Sequence, residues 1–279
     1  MASAPQAQLP LFYQDLMPLN SRDHGKWQAR TVDKAPWAVG QHAIPITTDE
    51  FFQAQRNFPI VFSAGDNPVP LALMGLNEGI NVFFDDKGVA LEDIYVPAYI
   101  RRYPFLLARL EEGSDTMSLC FDPSADLVGE FTDGMPLFDG DQGAPHTQEL
   151  LKFCEMFEEA GLRTQAFMEE IKKADLLMEG EVAIQQGDRP DQPYIYRGFQ
   201  MINQEKLREL RGDQLRKWND NGILPILFAH LFSLDLMRII FAKQTMQGKG
   251  PGVLANPEPR SLRPPTPDRA RQSELPKAS

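Results

Sequence analysis

Cysteine is scarce. Cys120 and Cys154 are the two thiols in 279 residues, too few for a disulfide scaffold. Histidine is scarce as well: His24, His42, His146 and His230 lie far apart, and no HxD, HExxH or CxxC spacing gathers metal ligands. Positive charge is outnumbered. Lys and Arg total 28 against 39 Asp and Glu, for a net charge of −11. That disfavours a general nucleic-acid binder, whose footprint is basic, and attachment to anionic lipid through a polybasic face. No GxxxxGK[ST] loop, GxGxxG turn or GxSxG elbow occurs. Nucleotide-driven and ordinary hydrolase chemistry therefore has no local sequence support.

Long apolar runs are also few. The first 20 residues, MASAPQAQLPLFYQDLMPLN, have no basic start followed by an apolar stretch. No cleavable secretory signal is expected, which points to the cytoplasm or to signal-independent export. The strongest membrane candidate is 223–241, ILPILFAHLFSLDLMRIIF. It contains Asp235 and Arg238, each costing roughly 2.5–3.5 kcal/mol at mid-span. A buried helix of a soluble core is the expectation, with no membrane span.

What is present reads as three zones. Residues 1–43 are rich in Pro, Gln and Asp and read as an extended N-terminal arm with little regular structure. Residues 44–247 read as a single α+β domain. Its apolar runs 58–64, 69–75 and 80–86, punctuated by Asn, Asp and Gly, predict consecutive antiparallel strands. Runs 105–110 and 116–121 flank a five-residue loop and predict a hairpin. After residue 145 the period turns helical. Thr147 reads as an N-cap with Gly161 closing that helix, and Thr164 caps a second helix ending near Gly180. A strand-like stretch, 194–202, is expected to return to the sheet. Asn203 and Asp213 read as caps of two short helices. Pro225 falls in the first turn of a last long helix, apolar on nearly every side and so expected at the centre of its domain. Asp235 and Arg238, three apart on it, are spaced to pair. Residues 248–279 carry seven prolines and a net charge of +3 and read as a disordered Pro-rich tail. The fold class is α+β: a mostly antiparallel sheet in the N-terminal half packed against a helical C-terminal half.

Two clusters carry chemistry-bearing side chains. In YVPAYIRRYPF (95–105), Tyr99 and Tyr103 interleave with Arg101 and Arg102. An arginine fork beside tyrosine rings suits a peptide or an anionic group. The alternative is tyrosines in the core and arginines paired with local acids such as Glu111. In FTDGMPLFDGDQGAPHTQEL, Asp139 and Asp141 precede His146. Counted from Asp139, the sixth and twelfth positions are Ala144 and Leu150, so the calcium-loop pattern of Gly and Glu fails. A polar loop entering a helix is the plainer reading, with a binding role open. Cys120 and Cys154 read as structural, and His230 as a hydrogen-bonded core residue. The candidate ligand-binding set is thus Tyr99, Arg101, Arg102, Tyr103, Asp139, Asp141 and His146, with no catalytic residue, no metal and no cofactor.

Several segments in order, YVPAYIRRYPFLLAR, LCFDPSADLV (119–128), PLFDGDQGAPHTQELLKFCE (136–155), DLLMEGEVAI (175–184), RGFQMINQEKLREL (197–210) and NGILPILFAHLFSLDLMRII (221–240), resemble the bacterial SapC family. The resemblance runs over about residues 40–245. It implies an association with bacterial surface layers, and a neighbourhood of TonB-dependent receptors, cupin-type oxygenases and flavin-dependent halogenase-like proteins. It supplies no catalytic residue set. Two functions follow as expectations. One is a non-catalytic accessory or interaction protein of a surface-layer or outer-membrane uptake system, with a protein partner. The other is an enzyme, or an enzyme's partner, in peptide or amino-acid modification, with a small-molecule or peptide ligand.

Overall fold

The computed structural model describes residues 9–110, 116–186 and 189–250. In chain order the first elements are β1 (Met17–Pro18), α1 (Ser21–His24), β2 (Gln28–Ala29), β3 (Ala43–Pro45), α2 (Phe51–Ala54), β4 (Ile60–Ser63) and β5 (Pro70–Leu73). Then come α3 (Ala98–Arg101), β6 (Phe105–Ala108), β7 (Ser118–Phe121), β8 (Val128–Gly129), β9 (Met135–Pro136), β10 (Phe138–Asp139) and β11 (Gln142–Gly143). The C-terminal half holds α4 (Pro145–Lys173), β12 (Leu177–Gln186), β13 (Arg189–Ile202), α5 (Gln204–Arg208), α6 (Gly212–Asp220), α7 (Ile223–Ser233) and α8 (Met237–Met246).

The main sheet runs β12-β13-β4-β5-β3, and all its pairings are antiparallel. The chain is α+β. Strand β13 returns to the N-terminal half, setting Phe199 against Ser63 and Gln200 against Phe62. Two small sheets, β1-β7-β6 and β8-β2-β9, form a second lobe. The large core lies between the main sheet and the helices, around Phe51, Phe62, Phe167, Trp218 and Leu227. A smaller core gathers Ala29, Phe105, Phe121, Leu137 and Cys154. Helix α4 joins them. At 29 residues it is about 43 Å long, and it gives Cys154 to the small core and Phe167 and Ile171 to the large one.

The expected hairpin forms as β6 and β7, while its loop at 111–115 lies outside the described residues, as does 251–279 of the expected tail. Asn203 caps α5, its Oδ1 accepting from the backbone N–H of Glu205 and Lys206. Several expectations are corrected. One helix, α4, replaces the two expected either side of Gly161, and its N-cap is Ala144. A Cβ at Gly161 would meet nothing within 4 Å, so the glycine breaks nothing. Thr147 and Thr164, read as caps, are interior anchors. Thr147 donates to the Leu137 carbonyl at 2.6 Å, and Thr164 Oγ1 accepts the Thr48 N–H at 2.9 Å. Gly180 ends no helix. It sits in β12 beneath the Phe199 ring, where a Cβ would lie 2.1 Å from a ring carbon. Asp213 is the second residue of α6, whose N-cap is Arg211.

Residues 80–86 form no ladder strand beyond an isolated Phe84–Ala90 bridge. Val82, Phe83 and Phe84 are all buried, which a half-buried strand's alternation forbids. Asn81 holds the irregular path instead: its Nδ2 donates to the Ala38 and Gln41 carbonyls, and its Oδ1 accepts from the Phe83 N–H. Residues 9–42 do carry few regular elements, but they wrap onto the body rather than standing off as an arm. Strand β1 pairs with β7, β2 lies between β8 and β9, and Tyr13, Ala29 and Ala38 are buried. These apolar residues come singly, so no period announced them.

The last helix is interrupted. A 3₁₀ turn at Leu234–Leu236 separates α7 from α8. The stripe of His230, Ser233, Met237 and Ile240 is buried, but Phe228, Phe232 and Ile239 face outward. The helix is therefore one-sided, not central. Asp235 and Arg238 are both exposed and form no ion pair among the described residues, with each other or otherwise. By length and composition 223–246 is long and apolar enough to cross a membrane.

Candidate functional site

Glu50 begins the construction. It is buried, and its carboxylate takes four hydrogen bonds. Oε2 accepts from the Thr47 N–H and hydroxyl, and Oε1 accepts from the Tyr95 hydroxyl at 2.9 Å and the Ala98 N–H at 2.7 Å. A four-residue helix cannot hold itself. This carboxylate fixes the start of α3 and, with it, Arg101, Arg102 and Tyr103. Burial, then the neighbouring Glu50 charge, pushes the Tyr95 phenol up to about 12.

A cleft of about 370 Å³ opens at the seam between the two cores. Residues 29–35 and Trp37 line it, together with Ile100, Arg101 and Tyr103 to Phe105, and with His146 and Leu150 of α4. Arg101, Tyr103 and His146 of the expected set meet here. Arg101 is exposed, and its Nε donates to the Val96 carbonyl at 3.0 Å. The rings of Phe153 and Tyr95 lie 5.2 and 5.9 Å from the guanidinium carbon. The guanidinium also interacts with the Tyr95 side chain, but no carboxylate pairs with it among the described residues. Lys34, also in the lining, is exposed and has no acidic partner among the described residues. Arg30 nearby is occupied by Asp133 at 3.1 Å and by the Phe131 ring. Asp33 is the one carboxylate in the lining. The floor is apolar, made by Val96, Ile100, Phe84 and Phe105.

Tyr103 contributes a ring rather than a hydroxyl. Its OH donates to Asp122 Oδ2 at 3.3 Å, and its ring centroid lies 4.9 Å from that of Trp37. Asp122 is fully buried and also accepts from the Gln14 N–H, the Ser124 N–H and the Ser124 hydroxyl. Burial pushes its carboxyl up, but those hydrogen bonds win and hold it below the usual carboxylate range.

Tyr99 and Arg102 turn away from this cleft. Tyr99 is buried, donates to the Leu11 carbonyl, and lines a separate cavity of about 530 Å³ beside Gly161. Arg102 is buried between the Tyr99 and Phe157 rings at 4.5 and 4.3 Å, with Glu158 at 3.5 Å. Its Nε has no hydrogen-bond partner among the described residues. Glu111, the expected acid, lies outside the described residues. Asp139 and Asp141 sit on the exposed β10–β11 hairpin and join no cluster. Among the described residues no group of three or more His, Cys, Asp or Glu is arranged to hold a metal ion.

The remaining reactive side chains are spent on structure. His230 is fully buried. Its Nε2 accepts the Ile202 N–H at 3.1 Å, which leaves Nδ1 to donate to the Ile60 carbonyl at 2.8 Å. Burial lowers its pKa to about 4, so the ring is neutral at pH 7. Burial pushes the Cys154 thiol up to about 12 against the pull of Arg102, and raises Cys120 as well. Neither supplies a thiolate at neutral pH.

Sequence reasoning missed the wall formed by Lys34 and Trp37, because both fall in the stretch read as an arm. The signal present was a tryptophan in an otherwise polar, Pro-rich segment.

No curated protein and no solved structure matches the chain. The SapC family model does match, over residues 19–239, a stretch that takes in the whole lining of the cleft, the whole of α4 and all of α7; the chain belongs to the SapC family.

Proposed function

We propose that this protein is a non-catalytic accessory factor of a bacterial surface-layer or outer-membrane uptake system, and that it works by binding. The observation that carries the reading is the exposed Arg101 guanidinium, without a carboxylate partner among the described residues, in a cleft with a largely apolar lining. In a chain of net charge −11, a cleft lined by both Arg101 and Lys34 concentrates positive charge locally. Its ligand class is a carboxylate on an apolar or aromatic body, as at the C-terminus of a peptide. The guanidinium takes the carboxylate, and Ile100, Phe84 and Trp37 take the apolar part.

The accessory reading is supported by how the other candidates are used. His230, Asp122 and Glu50 hold backbone, and both thiols are buried. It needs no nucleic acid. It treats 223–246 as a helix of the protein body, because His230, Ser233 and Gln244 on its inner face bond the main chain of Ile60, Ile202 and Leu76.

The test is native mass spectrometry of the full chain purified from its own host. A carboxylate-bearing ligand or a partner's C-terminal peptide is expected on the wild-type protein and lost from Arg101→Ala. A bound species that survives this substitution, or conversion of an added peptide by the pure protein, contradicts the reading.

A further inference from the structure

Helices α7 and α8 have two unlike faces. The inner one is bonded to the sheet. On the outer one Phe228 is 40% exposed, Phe232 70%, Ile239 49% and Met246 80%. Phe228 and Phe232 stack on each other with centroids 5.8 Å apart. An apolar stripe of this kind on a soluble surface marks an interaction site. At the middle of it lie Asp235 and Arg238. Both are exposed, and neither has a partner among the described residues.

One acid and one base at the midpoint make this face self-complementary under a two-fold axis. Two copies laid antiparallel, with the two-fold axis passing between the helices at the level midway between Asp235 and Arg238, set each Asp235 opposite the partner's Arg238. The same rotation carries the phenylalanine end of one helix over the Ile239 and Met246 end of the other. Methionine sulfur packs well against aromatic rings. A lipid surface fits less well. A helix lying on a membrane needs a basic polar face, whereas here Arg238 is offset by Asp235 and Lys243 is already paired with Glu92.

We propose that the outer face of α7–α8 is a homodimer interface, its register set by two reciprocal Asp235–Arg238 pairs. It is independent of the cleft.

Sedimentation equilibrium of the full chain across the micromolar range tests this. The wild type is expected to dimerise. Asp235→Arg and Arg238→Asp each bring like charges together and should weaken the dimer by about tenfold or more. The double variant D235R/R238D restores both pairs and should recover most of the affinity. Phe232→Ser should be monomeric, and circular dichroism should show every variant folded, since all three positions are exposed. A wild type that stays monomeric, a dimer indifferent to the charge reversals, or a double variant no better than the singles would overturn the proposal. So would sedimentation of a monomer with anionic phospholipid vesicles that Phe232→Ser abolishes.

Discussion

Glu50 Oε1 accepts the backbone N–H of Ala98 at 2.7 Å, across 48 residues of sequence. Because the same oxygen takes the Tyr95 hydroxyl, a single buried atom sets where α3 begins and where Arg101 stands. Glu50→Gln turns one acceptor into a donor facing donors. It should cost about 2–3 kcal/mol, and Glu50→Ala more, since four donors lose their acceptor. Urea unfolding measures both. Equal stability of Glu50→Ala and wild type would show that the carboxylate does not position the helix.

His230 gives the fold an acid sensitivity. Its folded pKa, about 4, lies below the ordinary 6.5, so the unfolded chain binds the proton first. The contribution of His230 is full above pH 6.5, falls as pH drops from 6.5 towards 4, and is spent below that. The loss is on the order of 3 kcal/mol for a ring this buried. His42, also lowered by burial, acts in the same direction. A His230→Gln variant should be less stable at pH 7 and should lose much of the slope between pH 4 and 6.5. A slope unchanged by the substitution would assign the acid sensitivity to other groups.

Gly180 lies under Phe199, with no room for a methyl group. Gly180→Ala should cost about 1–3 kcal/mol by forcing the buried ring aside. Pairing it with Phe199→Leu, which removes the clashing Cε2 and Cζ, should recover part of that loss. Additive penalties in thermal melts would mean that the two do not meet.

Much of the fold was legible because it rests on pattern. Strands β4 to β7 carry apolar runs bounded by turn residues, and β13 and the Asn203 cap are written locally. Failures came where a residue's usual role was overruled by packing. Gly161 reads as a terminator, yet α4 runs on because its far half is needed in the large core. Thr164 reads as a cap, but Thr48 consumes its hydroxyl. The one-sidedness of α7 was illegible, since Phe228 and Phe232 look like any core aromatic until the sheet is placed on the other face. The cleft was half legible. Arg101 and Tyr103 stand out as neighbours in sequence, whereas Lys34, Trp37 and His146 reach them only through tertiary contact. Asp139 and Asp141 look like a ligand cluster, but their hairpin carries them away from it.

The central claim is that Arg101 receives a carboxylate above an apolar floor. Isothermal titration calorimetry of the full chain with N-acetylphenylalanine and with its amide tests it most directly. The acid should bind at least about tenfold more tightly than the amide, the weight of one charge-assisted fork. Arg101→Ala should bring the acid down to the amide's affinity while the protein stays folded, its melting temperature lowered only slightly by the lost Val96 hydrogen bond. Acid and amide binding alike to the wild type, or acid binding that survives Arg101→Ala, would contradict the account.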